Sequence, residues 1–407
     1  MFCYGKGGSL DFQSFTYDGA IAVITYTLAG KTKRACEILG VYKREFYWLK
    51  NDTVGLFNSY RTDIYDGTRL SIGVDGDRMH VGPTMWVGIS ALQYSALTGD
   101  LQFLDFAIDL VKWAQQLNHF TLPDGERGGV CMGYGWGADW ANVYSTENNL
   151  DYYALLNMLD KIYFSGDPRV KNIFDRKNFG PKDIANEIHL IKNWLKKVIY
   201  DPKIKAFHCG YNEKGIDKTR ALDTVTWAIS AIGPANLKGM DINPFTLIDY
   251  AERKFSAYNN VEGETIKGFD FTDSEGRDRK LRLVWVEGTG QQIVAYQVLS
   301  RSAARLGFTE RAEEYKQKAR RYSDELEKLS NVVKLVDLAL PYTCKRAAER
   351  EIIFTFKNEW EMPRGRKGKW VASLSSTIWR YFALSGFNPL DFDTEAVLYK
   401  LPVLRNN

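Results

Sequence analysis

The feature that most constrains this chain is an alternation between two kinds of helical segment. Residues 14–29 carry Phe15, Tyr17, Ala20, Ile21, Val23, Ile24 and Leu28, apolar nearly all round. Such a helix is stable only when protein surrounds it. Residues 32–49 put Ala35, Ile38, Leu39, Tyr42 and Phe46 on one face and Arg34, Glu37, Lys43 and Arg44 on the other. That helix wants one face in water. The pair recurs along the chain: 83–99 then 101–117, 147–163 then 184–199, 219–232 then 244–255, 283–306 then 309–329. A last apolar segment opens at 372–379 and stops at Gly386, and 393–398 reads as a short closing helix.

Alternation of this kind predicts about a dozen helices arranged as antiparallel hairpins. The spacing is irregular, roughly 60–80 residues, which disfavours a uniform short-repeat solenoid. A closed ring fits better, with the apolar helices facing one another inside and the amphipathic ones outside. The predicted fold is therefore all-α: an (α/α)6 toroid of about six helical hairpins, with short β segments in the loops, one of them at 55–59. No Pro/Gly/Ser-rich linker divides the chain, so residues 1–407 read as one domain. The basic run 363–369, between Trp360 and Trp370, reads as an exposed loop.

Composition removes several function classes. The chain has 54 basic and 50 acidic residues and a net charge of +4, too balanced to predict nucleic-acid binding. No stretch is apolar for about 18 residues, so no membrane span is expected. The first residues are not a signal peptide, which makes the expected location cytoplasmic unless a signal was trimmed. Five scattered cysteines without a CxxC, and four dispersed histidines, read as free thiols and no metal site. The glycines between 125 and 137 form no P-loop, Gly288-Thr-Gly290 is no dinucleotide fingerprint, and no GxSxG elbow occurs. No cofactor is expected.

The aromatic content of 14%, with 11 Trp and 23 Tyr, falls largely in loops and at helix starts. In a ring, the inner-helix N-termini emerge at one end and their leading residues converge. Those residues are Tyr17 and Asp18; His80 and Trp86; Glu147 and Asp151; Asp223, Thr226 and Trp227; Trp285 and Glu287; Ser375, Ser376 and Trp379. A single acid at a helix start is ordinary capping. Acids beside aromatics at nearly every inner start point to a mouth that binds sugar, whose apolar ring faces stack on indole and phenol. The loop before residue 147 adds Trp136 and Trp140.

Close-set carboxylates against apolar walls acquire different pKa values, which suits glycoside hydrolysis: one acid protonates the leaving oxygen, another activates water. The catalytic candidates are Glu147 as general acid, Asp223 or Glu287 as base, and Asp18 in support. The sugar-binding candidates are Tyr17, His80, Trp86, Trp136, Trp140, Asp151, Trp227, Trp285 and Trp379.

Five motifs carry a resemblance. Ser14-Phe-Thr-Tyr17-Asp18-Gly-Ala-Ile-Ala-Val, His80-Val-Gly-Pro-Thr-Met-Trp86, Ser145-Thr-Glu147-Asn-Asn-Leu-Asp151, Ala221-Leu-Asp223-Thr-Val-Thr-Trp227 and Ser375-Ser-Thr-Ile-Trp379 resemble those of bacterial six-hairpin glycosidase-like proteins of the (α/α)6 toroid group. That superfamily includes inverting endoglucanases, glucoamylase-like enzymes, unsaturated glucuronyl hydrolases, sugar 2-epimerases and the toroidal domains of polysaccharide lyases. The resemblance implies a carbohydrate substrate. The leading expectation is an inverting glycoside hydrolase acting on an oligo- or polysaccharide. The alternatives are a sugar epimerase or polysaccharide lyase on the same toroid, and a non-catalytic carbohydrate-binding toroid.

Overall fold

The computed structural model describes residues 12–49, 55–65, 70–73, 78–135, 140–273, 282–344, 352–354, 360–361 and 370–392. Its helices are α1 (Thr16–Leu28), α2 (Thr32–Leu49), α3 (Val81–Thr98), α4 (Leu104–Ala114), α5 (Thr146–Tyr163), α6 (Pro168–Arg176), α7 (Pro181–Trp194), α8 (Leu222–Trp227), α9 (Pro234–Gly239), α10 (Pro244–Phe255), α11 (Val286–Arg305), α12 (Thr309–Val333) and α13 (Leu374–Ser385). The expected basic loop at 363–369 and the closing helix at 393–398 lie outside the described residues.

Six of these helices form the inner wall. Around the ring α1 packs on α3, α3 on α5, α5 on α8, α8 on α11, α11 on α13, and α13 back on α1. The outer helices α2, α4, α7, α10 and α12 each pack on the inner helix before them in the chain. The fold is an all-α toroid with small scattered sheets. Burial follows the sequence pattern. On α3 every residue from Val81 to Ala96 is buried except Pro83. On α12 the buried residues, among them Ala312, Tyr315, Ala319, Tyr322 and Leu326, recur at intervals of three or four along one face. Glycine lets inner helices approach closely. A Cβ on Gly290 would lie 2.9–3.1 Å from Trp379, side chain and backbone, and one on Gly88 would meet Leu155.

The inner helices share a device that helical periodicity does not reveal. Each starts from an N-cap residue in extended conformation, and each of those six residues is itself paired antiparallel with a distant segment. Phe15 pairs with Ser59, His80 with Gly133, Ser145 with Gly210, and Ser373 with Leu340. Ala221 bridges Thr272 and Trp285 bridges Thr343. Short β clamps thus pin all six starts.

These clamps explain most of the shifted boundaries. Residues 14–15, 219–221, 283–285 and 372–373, expected as helix, are taken up by pairing or by the approach to it, and the helices begin just after. The expected strand at 55–59 lies instead at Ser59–Tyr65, where it pairs with residues 13–15 and 70–72. Helix α7 starts earlier than expected, at Pro181, because proline suits the first turn and Asp183 accepts the Gly180 backbone N–H. Helix α6 was not expected; Asp167 caps it, with Pro168 at its first position. No helix among the described residues is long and apolar enough to cross a membrane.

Candidate active site

The clamps bring one position of every inner helix to the same place. The second helical residue after each N-cap is Tyr17, Gly82, Glu147, Asp223, Glu287 and Ser375, in ring order. Five of the six carry a polar side chain, and all five line one cavity of about 410 Å³. Its volume is that of a small-molecule site. The sixth, Gly82, leaves room: a Cβ there would lie 2.8 Å from Asp151 Oδ2 and closer still to Asn148 Oδ1.

Other residues of the first turns and clamps complete the wall: Asp18, Trp86, Asn148, Asp151, Trp227 and Gln291 on helices, with Arg78, His80 and Trp285 just before them. Towards the axis, rings meet edge to face. Tyr17 and Trp86 centroids are 5.2 Å apart, Trp86 and Trp227 5.6 Å, and Trp86 and Trp379 6.2 Å. Such pairs contribute about 0.5–1.5 kcal/mol each beyond area burial.

The carboxylates do not share one environment. Glu287 accepts the Tyr17 hydroxyl at Oε1 (2.7 Å) and the Gln291 amide at the same oxygen (3.3 Å). The Tyr17 hydroxyl in turn accepts the Trp379 indole N–H at 2.6 Å. Burial pushes Glu287 above the usual glutamate range, and the donors Tyr17, Ser375 and Gln291 pull it back. Glu147 has no such donors. Burial, reinforced by the charge of Glu287, pushes it up to about 7. Asp151 and Asp223 are driven well above the aspartate range, first by burial and then by Glu147. Neither Asp151 oxygen completes a hydrogen bond; the Trp86 indole N–H faces that carboxyl without the alignment of one. His80 is held down at about 4 by burial and by Arg78, so its imidazole is neutral at pH 7. It packs against Trp140, whose ring also carries the Arg78 guanidinium 5.4 Å from its centroid.

Of the expected site residues, Tyr17, Asp18, His80, Trp86, Trp140, Glu147, Asp151, Asp223, Trp227, Trp285 and Glu287 all line the cavity. Trp379 does not. It is fully buried behind Tyr17, where its indole N–H is used on the tyrosine hydroxyl, so it offers no face to a sugar. Trp136 lies outside the described residues. The sequence reading did not single out Asn148, Gln291, Tyr342 or the hairpin residues Tyr211, Asn212 and Asp217, all of which line the cavity. Asn148 and Gln291 follow from helical spacing once the first turns are known to converge. The hairpin arrives only through its pairing with residues 144–145, which leaves no local signal. Among the described residues no group of three or more His, Cys, Asp or Glu is arranged to hold a metal ion.

No family model matches the chain, and no curated protein matches it in sequence. Solved structures do match in fold. A glycosidase variant in complex with glucose aligns with a TM-score of 0.56 at 8% identity, over 96% of this chain and 91% of that one. A family 76 glycoside hydrolase from a bovine Bacteroides thetaiotaomicron strain aligns at 0.54 and 8% identity, over 94% and 72%. The cellobiose 2-epimerase from Bacillus thermoamylovorans B4167 aligns at 0.54 and 12% identity, over 92% and 88%. At these identities the likeness is one of fold. The chain is a helical toroid of the kind these enzymes use.

Proposed function

We propose that this chain hydrolyses glycosidic bonds in an oligo- or polysaccharide by carboxylate general acid and base catalysis, with inversion at the anomeric carbon. The observation that carries the reading is the unequal treatment of two carboxyls in one cavity. Glu147, without donors and pushed to about 7, keeps its proton near neutral pH and gives it to the departing glycosidic oxygen. Glu287, held by Tyr17 and Gln291, is the better anion and takes a proton from the attacking water. Asp223, on the helix between them, and Asp18 also line the cavity and are assigned supporting roles.

Inversion needs room for a water between acid and base, a separation of about 6.5–9.5 Å against about 5 Å for retention. Glu147 and Glu287 start helices that are not neighbours in the ring, with α8 between them. That favours the wider arrangement. Tyr211, Trp140 and Trp285 line the cavity and are the aromatic side chains assigned to sugar contact.

The fold is equally at home in a sugar 2-epimerase, which favours one rival reading. Epimerisation requires a base able to remove a carbon-bound proton. The only histidine lining the cavity among the described residues is His80, which is neutral and enclosed by Trp140. The paired, unequal carboxyls that converge here are what hydrolysis needs, and they favour it over epimerisation. Incubation with a panel of oligosaccharides, followed by proton NMR, separates the two. Hydrolysis gives new reducing ends whose first-formed anomer is opposite to that of the substrate. A product isomerised at C2 with its glycosidic bond intact would overturn the reading.

A further inference from the structure

Orphaned polar atoms cluster on the cavity floor between α3, α5 and α8. The indole nitrogens of Trp86 and Trp227, Nδ2 of Asn148, Oδ1 of Asp223 and both Asp151 oxygens are buried without a hydrogen-bond partner. All five side chains are more than nine-tenths buried, and all five line the cavity. Some buried polar side chains elsewhere in the toroid are tied down, as Asn149 is to Val130 and Ser145 and Tyr152 to Glu187, while others, among them Gln292 and Tyr296, are also unpaired but do not line the cavity. A folded protein leaves few buried polar groups unpaired, and a group of them facing one space is explained by what fills that space.

We propose that this floor is the glycosyl subsite and that it takes a neutral, polyhydroxylated sugar ring rather than an acidic one; the proposal rests on the carbohydrate reading above and deepens it. The atoms alternate in kind. Two indole N–H groups and an amide donate, and carboxyl oxygens accept. A sugar hydroxyl both donates and accepts, so a ring bearing several of them matches such a set, and an aliphatic or aromatic ligand does not. Waters occupying the same positions would be released on binding.

Charge decides between neutral and acidic sugars. Among the described residues, Asp18, Glu147, Asp151, Asp217, Asp223 and Glu287 line the cavity, against one arginine. Arg78 sits over the Trp140 ring just before α3, outside the floor set, and has further interactions. A uronate, sulfate or phosphate seated between α3, α5 and α8 would face carboxyls with no cation within the floor set.

The test is direct binding in the full chain carrying Glu147→Gln, which stops turnover. Calorimetry at pH 7 with methyl glycosides of glucose, mannose and galactose is compared with the methyl glycosides of glucuronic and galacturonic acid. The expected result is binding of at least one neutral glycoside and affinity at least about tenfold lower for its uronate counterpart. Trp227→Phe, which removes an indole N–H and keeps an aromatic ring, weakens the neutral sugar by about tenfold with little change in Tm. A uronate that binds as well as its neutral counterpart, or no binding by any of the five, overturns the subsite. Because no turnover is measured, a failure of hydrolysis leaves this result standing, and a preference for uronates would leave hydrolysis standing.

Discussion

The Tyr17 hydroxyl donates to Glu287 Oε1 at 2.7 Å, joining the first inner helix to the fifth across 270 residues of sequence. The direction of that bond is fixed from behind. Trp379 Nε1–H can only donate, and it occupies the tyrosine oxygen at 2.6 Å. Burial, the nearby Glu287 charge and the bond to that carboxyl keep Tyr17 well above the ordinary tyrosine range, so it holds its proton at any working pH. Glu287 therefore has a permanent donor, which favours its ionised form.

Removing that donor moves one limb of the pH profile. In Tyr17→Phe the Glu287 carboxyl loses the hydrogen bond that lowers it, so its pKa rises. The acid limb of kcat/KM shifts to higher pH, and activity at pH 5 falls by about tenfold or more while the alkaline limb stays. Trp379→Phe shifts the same limb in the same direction by a smaller amount, and the double variant moves it less than the sum of the two. A pH profile of each variant checks this; a purely structural role would lower the whole curve without moving a limb.

Glu147 sets the other limb. It must be protonated to act, and its carboxyl lies at about 7, so kcat/KM declines as pH rises through about 7. The same shift carries a stability term. A carboxyl raised from 4.5 to about 7 binds its proton more tightly in the folded chain than in the unfolded one. Stability therefore falls as pH rises through that window and stays lowered above it. Glu147→Gln removes the term. The variant is expected to be more stable than the parent at pH 8, by on the order of 1–3 kcal/mol since Glu147 is only half-buried, and equal to it at pH 4. Denaturant melts at the two pH values provide the measurement.

Gly82 is the one position in the ring of second helical residues without a side chain. In Gly82→Ala the new methyl meets the polar ends of Asn148 and Asp151. Those ends move more easily than backbone, so the fold tolerates the change at a cost of about 1–2 kcal/mol. The displaced groups lie on the cavity floor, and a shift of about 1 Å there is expected to lower kcat/KM by about 10²-fold. Thermal melting together with steady-state kinetics tests the pair of effects.

Much of this arrangement is legible in the sequence because it rests on local pattern. The alternation of all-round apolar and one-faced helices predicts the ring. The bounds of α2 and α10 match those expected from periodicity, capping and Pro244. The acid and aromatic residues at helix starts line the cavity because the ring has only one end for them. What sequence does not carry is the long-range part. The six β clamps join residues 44 to 65 apart in five cases out of six when counted from each N-cap to its partner, and 33 apart in the sixth. Periodicity within a helix says nothing about such pairs. Trp379 shows the same limit on a smaller scale. Its position four residues after Ser375 marks it as an inward-facing ring, but whether it meets the cavity or the back of Tyr17 depends on the packing of α13 against α1.

Leaving-group dependence separates the roles of Glu147 as acid and Glu287 as base. The rate of hydrolysis of a natural glycoside is compared with that of the corresponding glycosyl fluoride, whose leaving group needs no proton, for the parent, Glu147→Gln and Glu287→Gln. Glu147→Gln is expected to lose about 10²–10⁴-fold on the glycoside but less than about tenfold on the fluoride, and Glu287→Gln about 10²-fold or more on both. Equal losses on the two substrates in Glu147→Gln, or full activity in either variant, would contradict these roles.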